Sequence, residues 1–188
     1  MPAPEITLQL GARPEAVRDA GELQELAAEV YAAPPYRQDE LDAARFAGRL
    51  AVRQRQPGFA LAEARHGGYL VGFALGMPLR PSTSWWREVT TPLPDDVTAE
   101  RPGRTFALAE LVVRAAWRRQ GIGRDLHDLI LAGRREERAT AAVLPAATAA
   151  QRAAREWGWQ KVARTQEPGD PAGPVLDVLV RALPGGRG

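Results

Sequence analysis

The stretch of the chain best suited to chemistry lies at residues 111–124, where an apolar strand end passes through a short basic loop into a helix. Gly121 and Gly123 flank one apolar residue at the helix start, so no Cβ would keep a ligand away from the backbone there. The first N–H groups of a helix have no intrahelical acceptor, and the helix dipole adds positive potential. Three arginines can add charge-assisted hydrogen bonds to an anion: Arg118, Arg119 and Arg124. The pattern therefore predicts a phosphate or diphosphate site.

Two well-known phosphate motifs do not match this stretch. A Walker loop needs a Gly-Lys pair, and the only lysine of the chain is Lys161; a dinucleotide fingerprint needs a third glycine where Leu126 stands. The pattern that does match is R/Q-x-x-G-x-G/A at residues 118–123, preceded by an acidic residue, Glu110, and three apolar ones. This combination resembles the acetyl-CoA-binding motif of the GNAT N-acetyltransferases.

The resemblance implies where acetyl-CoA would bind as a co-substrate, and no metal is expected. In that family the strand before the loop hydrogen-bonds the pantetheine arm through its main chain, which implies Leu111, Val112 and Val113. The loop and the helix start hold the pyrophosphate, which implies Arg118, Arg119, Gln120, Gly121, Ile122, Gly123 and Arg124. The family also splays this strand from the next one, which opens a V-shaped groove for the thioester. An extended arm that bears amides can pair with such a strand as an additional strand would.

Acyl transfer to an amine requires a neutral nucleophile, whereas a lysine-type amine has a pKa of about 10.4. A carboxylate can take up the proton directly or through water. Glu110 is the candidate general base, because it interrupts an apolar strand where a carboxylate is costly without a partner or a task. The alternative is that Glu110 points outward or pairs with an arginine. No general acid is visible, because Ala154 stands four residues before Gly158, where the family often has a tyrosine.

The sequence does not identify the acceptor. Four aromatic residues in the segments 31–40 and 81–104 are candidates for binding it, with packing inside those segments as the alternative: Tyr31, Tyr36, Trp85 and Trp86. A small amine, an aminoglycoside-like amine, a protein N-terminus and a lysine all stay open. We expect an N-acetyltransferase in which a primary amine attacks acetyl-CoA directly. The second hypothesis is a CoA-binding GNAT module with weak or no catalysis, acting as a sensor or partner.

Composition narrows the class of protein. The chain has 188 residues, 45% of them hydrophobic, which suits one packed domain. It has no cysteine and two histidines, so disulfides, thiolate metal sites and a histidine-built zinc site are not expected. The net charge of +2 does not indicate nucleic-acid binding. Without a visible signal peptide or a long apolar run, a cytoplasmic protein that binds no membrane is expected, and a homodimer is compatible with the sequence.

The apolar periodicity predicts the elements that must position these residues. Strands are predicted at 6–10, 59–63, 69–79, 105–113, 140–144, 159–164 and 175–183, and helices at 14–32, at 39–55, from 121 onward and, capped by Thr148, up to 157. The order β-α-α-β-β-β-α-β-α-β-β is that of the GNAT fold. We therefore expect an α/β (α+β) protein with a mixed central sheet of about seven strands and flanking helices. Residues 1–183 are expected to form a single GNAT acetyltransferase domain and 184–188 a flexible tail.

Overall fold

The computed structural model describes residues 5–11, 19–166 and 173–186. The strands are β1 (Ile6–Gly11), β2 (Ala60–His66), β3 (Tyr69–Pro78), β4 (Thr105–Val113), β5 (Arg138–Val143), β6 (Gln160–Gln166) and β7 (Val175–Ala182). The helices are α1 (Ala20–Ala32), α2 (Glu40–Arg53), α3 (Asp95–Thr98), α4 (Ile122–Leu131) and α5 (Thr148–Glu156). Apart from the short α3, this is the predicted order of elements.

The strands form a seven-stranded mixed sheet in the order β1-β2-β3-β4-β5-β7-β6. The pairs β1-β2, β2-β3, β5-β7 and β7-β6 are antiparallel. Strands β4 and β5 run parallel, with residues 105–107 paired to 138–140. The predicted fold class, a mixed sheet with flanking helices, is confirmed.

The chain divides into two compact units. The first comprises residues 1–77 and 108–132, and its core packs α1 and α2 against β2, β3 and the end of β4 through Leu26, Phe46, Leu50, Phe59, Phe73 and Val112. The second comprises residues 78–107 and 133–188 and holds α3, the start of β4, β5, α5, β6 and β7. This division into units does not test the prediction that residues 1–183 form a single domain, which stays a prediction.

The N-caps of α1 and α5 differ from what the sequence predicts for the starts of these helices. Helix α1 begins at Ala20, because Asp19 is extended and its carboxylate accepts the N–H groups of Gly21 (2.9 Å) and Glu22 (3.2 Å). The predicted start near Pro14 lies outside the described residues. At α5 the N-cap is Ala147, without a side-chain hydrogen bond, so the prediction that Thr148 caps this helix is wrong.

The connection at 81–104 is mostly irregular. It contains the four-residue α3 and an isolated bridge between Val89 and Thr165. At the chain end, Pro184–Gly186 forms a 3-10 turn in which Gly185 lies against the main chain of Arg134. The predicted tail therefore starts with an ordered turn, and its last two residues lie outside the described part of the chain.

Candidate active site

The basic loop between β4 and α4 has an unusual backbone. A 3-10 turn, Ala115–Trp117, leads to Arg119, which has a φ of 66° although it is not a glycine. Gly121 follows with a φ of 87° and is the N-cap of α4. A left-handed conformation costs an L-residue about 1–2 kcal/mol. Strain of this kind concentrates at functional sites, which marks the loop as a candidate ligand-binding segment.

The same loop presents unused main-chain donors. Within the described residues, no backbone or side-chain acceptor takes the N–H groups of residues 119–123. The N–H of Arg124 is the next one used, donating to the carbonyl of Gly121 at 2.8 Å. Five successive unused donors thus lie at the positive end of a ten-residue helix. This arrangement fits an anion with several oxygens, such as a diphosphate.

The side chains of the three arginines predicted to bind the anion make different contacts. The Nε of Arg118 donates to the carbonyl of Val113 at 3.0 Å and so fixes the loop on the end of β4. Arg124 pairs through its Nε with Asp128 at 2.6 Å, one turn along α4. Arg119 is exposed, and its side chain has no partner in the part of the chain that the structure describes. Of the three predicted arginines, Arg119 is therefore the one with its full guanidinium available.

The strand behind the loop is held by a close approach from β3. A Cβ on Gly72 would lie 3.0 Å from the carbonyl oxygen of Val112, 3.1 Å from Leu126 Cδ1 and 3.2 Å from Val113 Cγ2. The main chain of β4 ends beside it, where the N–H of Arg114 donates to the carbonyl of Val71 at 2.9 Å. Only glycine lets β3, β4 and α4 pack this closely at that point.

Glu110 lies in a cluster built by three elements. Its Oε1 accepts from Arg53, in the last turn of α2, at 2.7 Å, and its Oε2 accepts from the hydroxyl of Tyr31, near the end of α1, at 2.6 Å. The side chain of Glu110 is 10% exposed and that of Arg53 is 20% exposed. The carboxylate is thus oriented from both sides. The structure therefore shows Glu110 paired with an arginine, which is one of the alternatives that the sequence left open. The role of Glu110 as a base stays a prediction.

Tyr36 completes the cluster from the segment between α1 and α2. Its ring meets that of Tyr31 edge-on, with centroids 5.0 Å apart. Burial raises the pKa of Tyr31 well above its ordinary value, and the charge of Glu110 raises it further. Burial also raises the pKa of Tyr36, with opposing contributions from the charges of Arg118 and Glu110. Both phenols are therefore protonated donors near neutral pH, and Tyr36 lies within electrostatic reach of the basic loop and of Glu110.

The two tryptophans belong to the second unit. Trp86 is 6% exposed, its indole N–H donates to Glu100 at 2.9 Å, and the guanidinium of Arg138 lies over its ring. Trp85 is half-buried and donates to the hydroxyl of Thr140 at 3.2 Å. These contacts favour packing for Trp86, and acceptor binding by either tryptophan stays a prediction.

The described residues hold no group of three or more His, Asp or Glu side chains placed for a metal ion. None of their helices is both long enough and apolar enough to cross a bilayer.

The model of the Acetyltransferase (GNAT) family matches residues 22–159. The chain therefore belongs to this family. No curated protein sequence matches it.

Solved structures share the fold. Ribosomal-protein-alanine N-acetyltransferase from Brucella melitensis superposes with a TM-score of 0.62 at 19% identity, over 93% of this chain and 99% of its own. A GNAT family acetyltransferase from Elizabethkingia anophelis, solved with acetyl-CoA bound, gives 0.57 at 13% identity, over 95% and 98%. An acetyltransferase from Thermus thermophilus gives 0.58 at 20% identity, over 94% and 97%. At such identities the likeness concerns the fold.

Proposed function

We propose that this protein transfers the acetyl group of acetyl-CoA to a primary amine. The observation that carries the proposal is the row of unused N–H groups at 119–123, in the loop that follows the strand bearing Glu110. A diphosphate has the oxygens and the charge that such a row binds. Membership of the GNAT family, and acetyl-CoA in the Elizabethkingia structure, support acetyl-CoA as the ligand.

On this proposal the CoA moiety runs from the loop along the end of β4. The main chain of Leu111, Val112 and Val113 pairs with the amides of pantetheine, and the loop residues hold the pyrophosphate. Arg119 adds a charge-assisted hydrogen bond from the loop, with Arg118, Gln120 and Arg124 beside it. The thioester then lies near the strand residue that precedes this segment, Glu110.

The chemistry is a direct displacement. The nitrogen of the neutral amine attacks the thioester carbonyl carbon, backbone N–H groups near residues 111–113 stabilise the oxyanion, and the C–S bond then breaks. The proton lost by the amine passes to Glu110, directly or through a water molecule. The CoA thiolate leaves with the bonding electrons. A thiol has a pKa of about 8.5, so the thiolate can leave without a general acid.

One observation favours the second candidate function, a GNAT module that binds CoA with little catalysis. Ala154 lies buried on α5 at the position where the family often has a tyrosine, and both oxygens of Glu110 already accept hydrogen bonds. A module of this kind would bind CoA through the same loop and release no free thiol with any amine.

The substitution Glu110→Gln separates these functions. It keeps the size of the side chain and removes the base, so kcat should fall by about a hundredfold or more while the Kd for CoA stays unchanged. The matched control is Glu63→Gln on β2, whose carboxylate pairs with Arg65 and which should leave turnover unchanged. Free thiol is measured with a panel of amines, and CoA binding by calorimetry. Full activity in Glu110→Gln would refute the base role, and CoA binding without turnover in the native protein would favour the second candidate.

A further inference from the structure

Arg53 has unused hydrogen-bonding capacity beside the candidate base. One terminal nitrogen of its guanidinium donates to Glu110, while its Nε and its other terminal nitrogen have no acceptor among the described residues. A guanidinium carries five N–H groups, so most of them are free. The side chain is 20% exposed, which leaves the group open to a bound molecule.

The charges of the cluster favour an acceptor that brings a negative group. Arg53 already balances Glu110, and the charge of Arg118 acts on the neighbouring Tyr36. The charges that act on the two tyrosines are thus those of two arginines, Arg53 and Arg118, and of one carboxylate, Glu110. An alkylammonium would add another positive charge, whereas a zwitterion would place its ammonium at Glu110 and its carboxylate at the cation.

We propose that Arg53 binds a carboxylate of the acceptor, so that the site takes an α-amino acid or a similar amine with a carboxylate close to the amino group. This inference rests on the proposed function. The planar guanidinium matches the two oxygens of a carboxylate with parallel N–H donors, which gives direction as well as charge. The edge-on rings of Tyr31 and Tyr36 offer the side chain of such an acceptor an apolar surface.

The experiment uses matched triples of amines with the full-length protein and acetyl-CoA. Each triple holds an L-amino acid, its amide and its decarboxylated amine, for example leucine, leucinamide and isoamylamine, and phenylalanine, phenylalaninamide and phenethylamine. The acid should be used about tenfold to a hundredfold better in kcat/KM than the decarboxylated amine, as expected for hydrogen bonds between charged groups. In Arg53→Gln this ratio should fall to near one.

Comparing each amine with itself across the two proteins removes its intrinsic reactivity from the result. The control is Arg55→Gln, which removes an exposed arginine two residues further on and should keep the full ratio. Arg53→Lys retains a cation for Glu110 but lacks the planar donor pair, so it should keep part of the ratio. Thermal unfolding verifies that the variants are folded.

A binding measurement separates failure of this inference from failure of the proposed function. With CoA present, the amino acid should raise the melting temperature of the native protein more than the decarboxylated amine does, and Arg53→Gln should lose that difference. A difference in binding without turnover would leave the inference standing and refute the proposed transfer. Turnover of amines with equal use of acid and decarboxylated amine would overturn the inference alone. Equal use of acid and amide would also overturn it, because recognition would then need only the carbonyl, as at a peptide N-terminus.

Discussion

Gly72 offers a direct test of how the candidate CoA-binding strand is held. The substitution Gly72→Ala places a methyl group 3.0 Å from the carbonyl oxygen of Val112, and close to Leu126 and Val113. Because this carbonyl belongs to the main chain of β4, the close contact can be relieved only if the strand itself shifts by a few tenths of an ångström. The same strand segment is the one proposed to pair with pantetheine.

The size of the effect follows from two opposing contributions. Overpacking a tight site costs about 1–3 kcal/mol. Alanine has fewer conformations than glycine in the unfolded chain, which offsets about 0.4–1 kcal/mol. Gly72→Ala should therefore destabilise the protein by about 1–2 kcal/mol, or lower Tm by about 3–6 °C for a protein of this size.

Gly48 provides the matched control. It lies inside α2, and a Cβ there would meet nothing within 4 Å. Gly48→Ala should stabilise the protein by about 0.5–1 kcal/mol through helix propensity alone. Urea unfolding of both variants, with calorimetric titration of CoA, measures the two effects. The same glycine-to-alanine change should then lower the free energy of unfolding at residue 72 and raise it at residue 48. Only Gly72→Ala should weaken CoA binding. Equal stabilisation by both substitutions, or unchanged CoA affinity in Gly72→Ala, would refute the reasoning.

Two further substitutions test the loop and the second unit. Gly121→Ala should weaken CoA binding about fivefold or more, because a φ of 87° strains any other residue by about 1–2 kcal/mol. The new methyl group itself has room, since its nearest atom would be Asp125 Oδ2 at 3.9 Å. Calorimetry measures the CoA affinity, and an unchanged affinity would contradict this reasoning. Burial alone would raise the pKa of Asp177, but its pairs with Lys161 (2.6 Å) and Arg164 (3.1 Å) outweigh burial and hold the pKa below the ordinary value. The carboxylate therefore stabilises the fold above about pH 4 and stops doing so as the pH falls through its lowered pKa. Asp177→Asn should cost about 1–2 kcal/mol in urea unfolding at pH 7 and progressively less below about pH 4, and a constant difference across that range would exclude this role.

The elements with strong local signals were predicted from the sequence. The alternation at Thr105–Val113 gave the bounds of β4. Two adjacent glycines favour a hairpin turn, and Gly67 and Gly68 lie where β2 turns into β3. The last helix was predicted to run up to 157, and Gly158 with a φ of 83° follows directly, as is common where a helix ends. In each case the signal depends only on residues adjacent in the chain, so neither packing nor distant contacts had to be known.

The cluster around Glu110 could be predicted only in part. The sequence indicates that a carboxylate inside an apolar strand needs a partner, yet the chain has 24 arginines and nothing local selects Arg53 among them. Arg53 and Tyr31 lie 57 and 79 residues before Glu110 in the chain. They meet it because α1 and α2 pack on the sheet with their last turns toward β4. The spacing of residues within one helix or strand does not reveal such contacts between elements that are distant in the chain.

The contacts of Glu110 also constrain how the proposed reaction is accelerated. A carboxylate has about four lone-pair positions, and Arg53 and Tyr31 occupy one on each oxygen, so a proton can still be accepted. The position of Ala154 supplies no acid on the other side of the reaction. Without a general acid, much of the rate enhancement has to come from holding the amine against the thioester, a contribution that can reach about 7–11 kcal/mol. An arginine that fixes both the carboxylate of Glu110 and the carboxylate of the acceptor serves that purpose, because it places the amino group relative to the strand that holds the thioester.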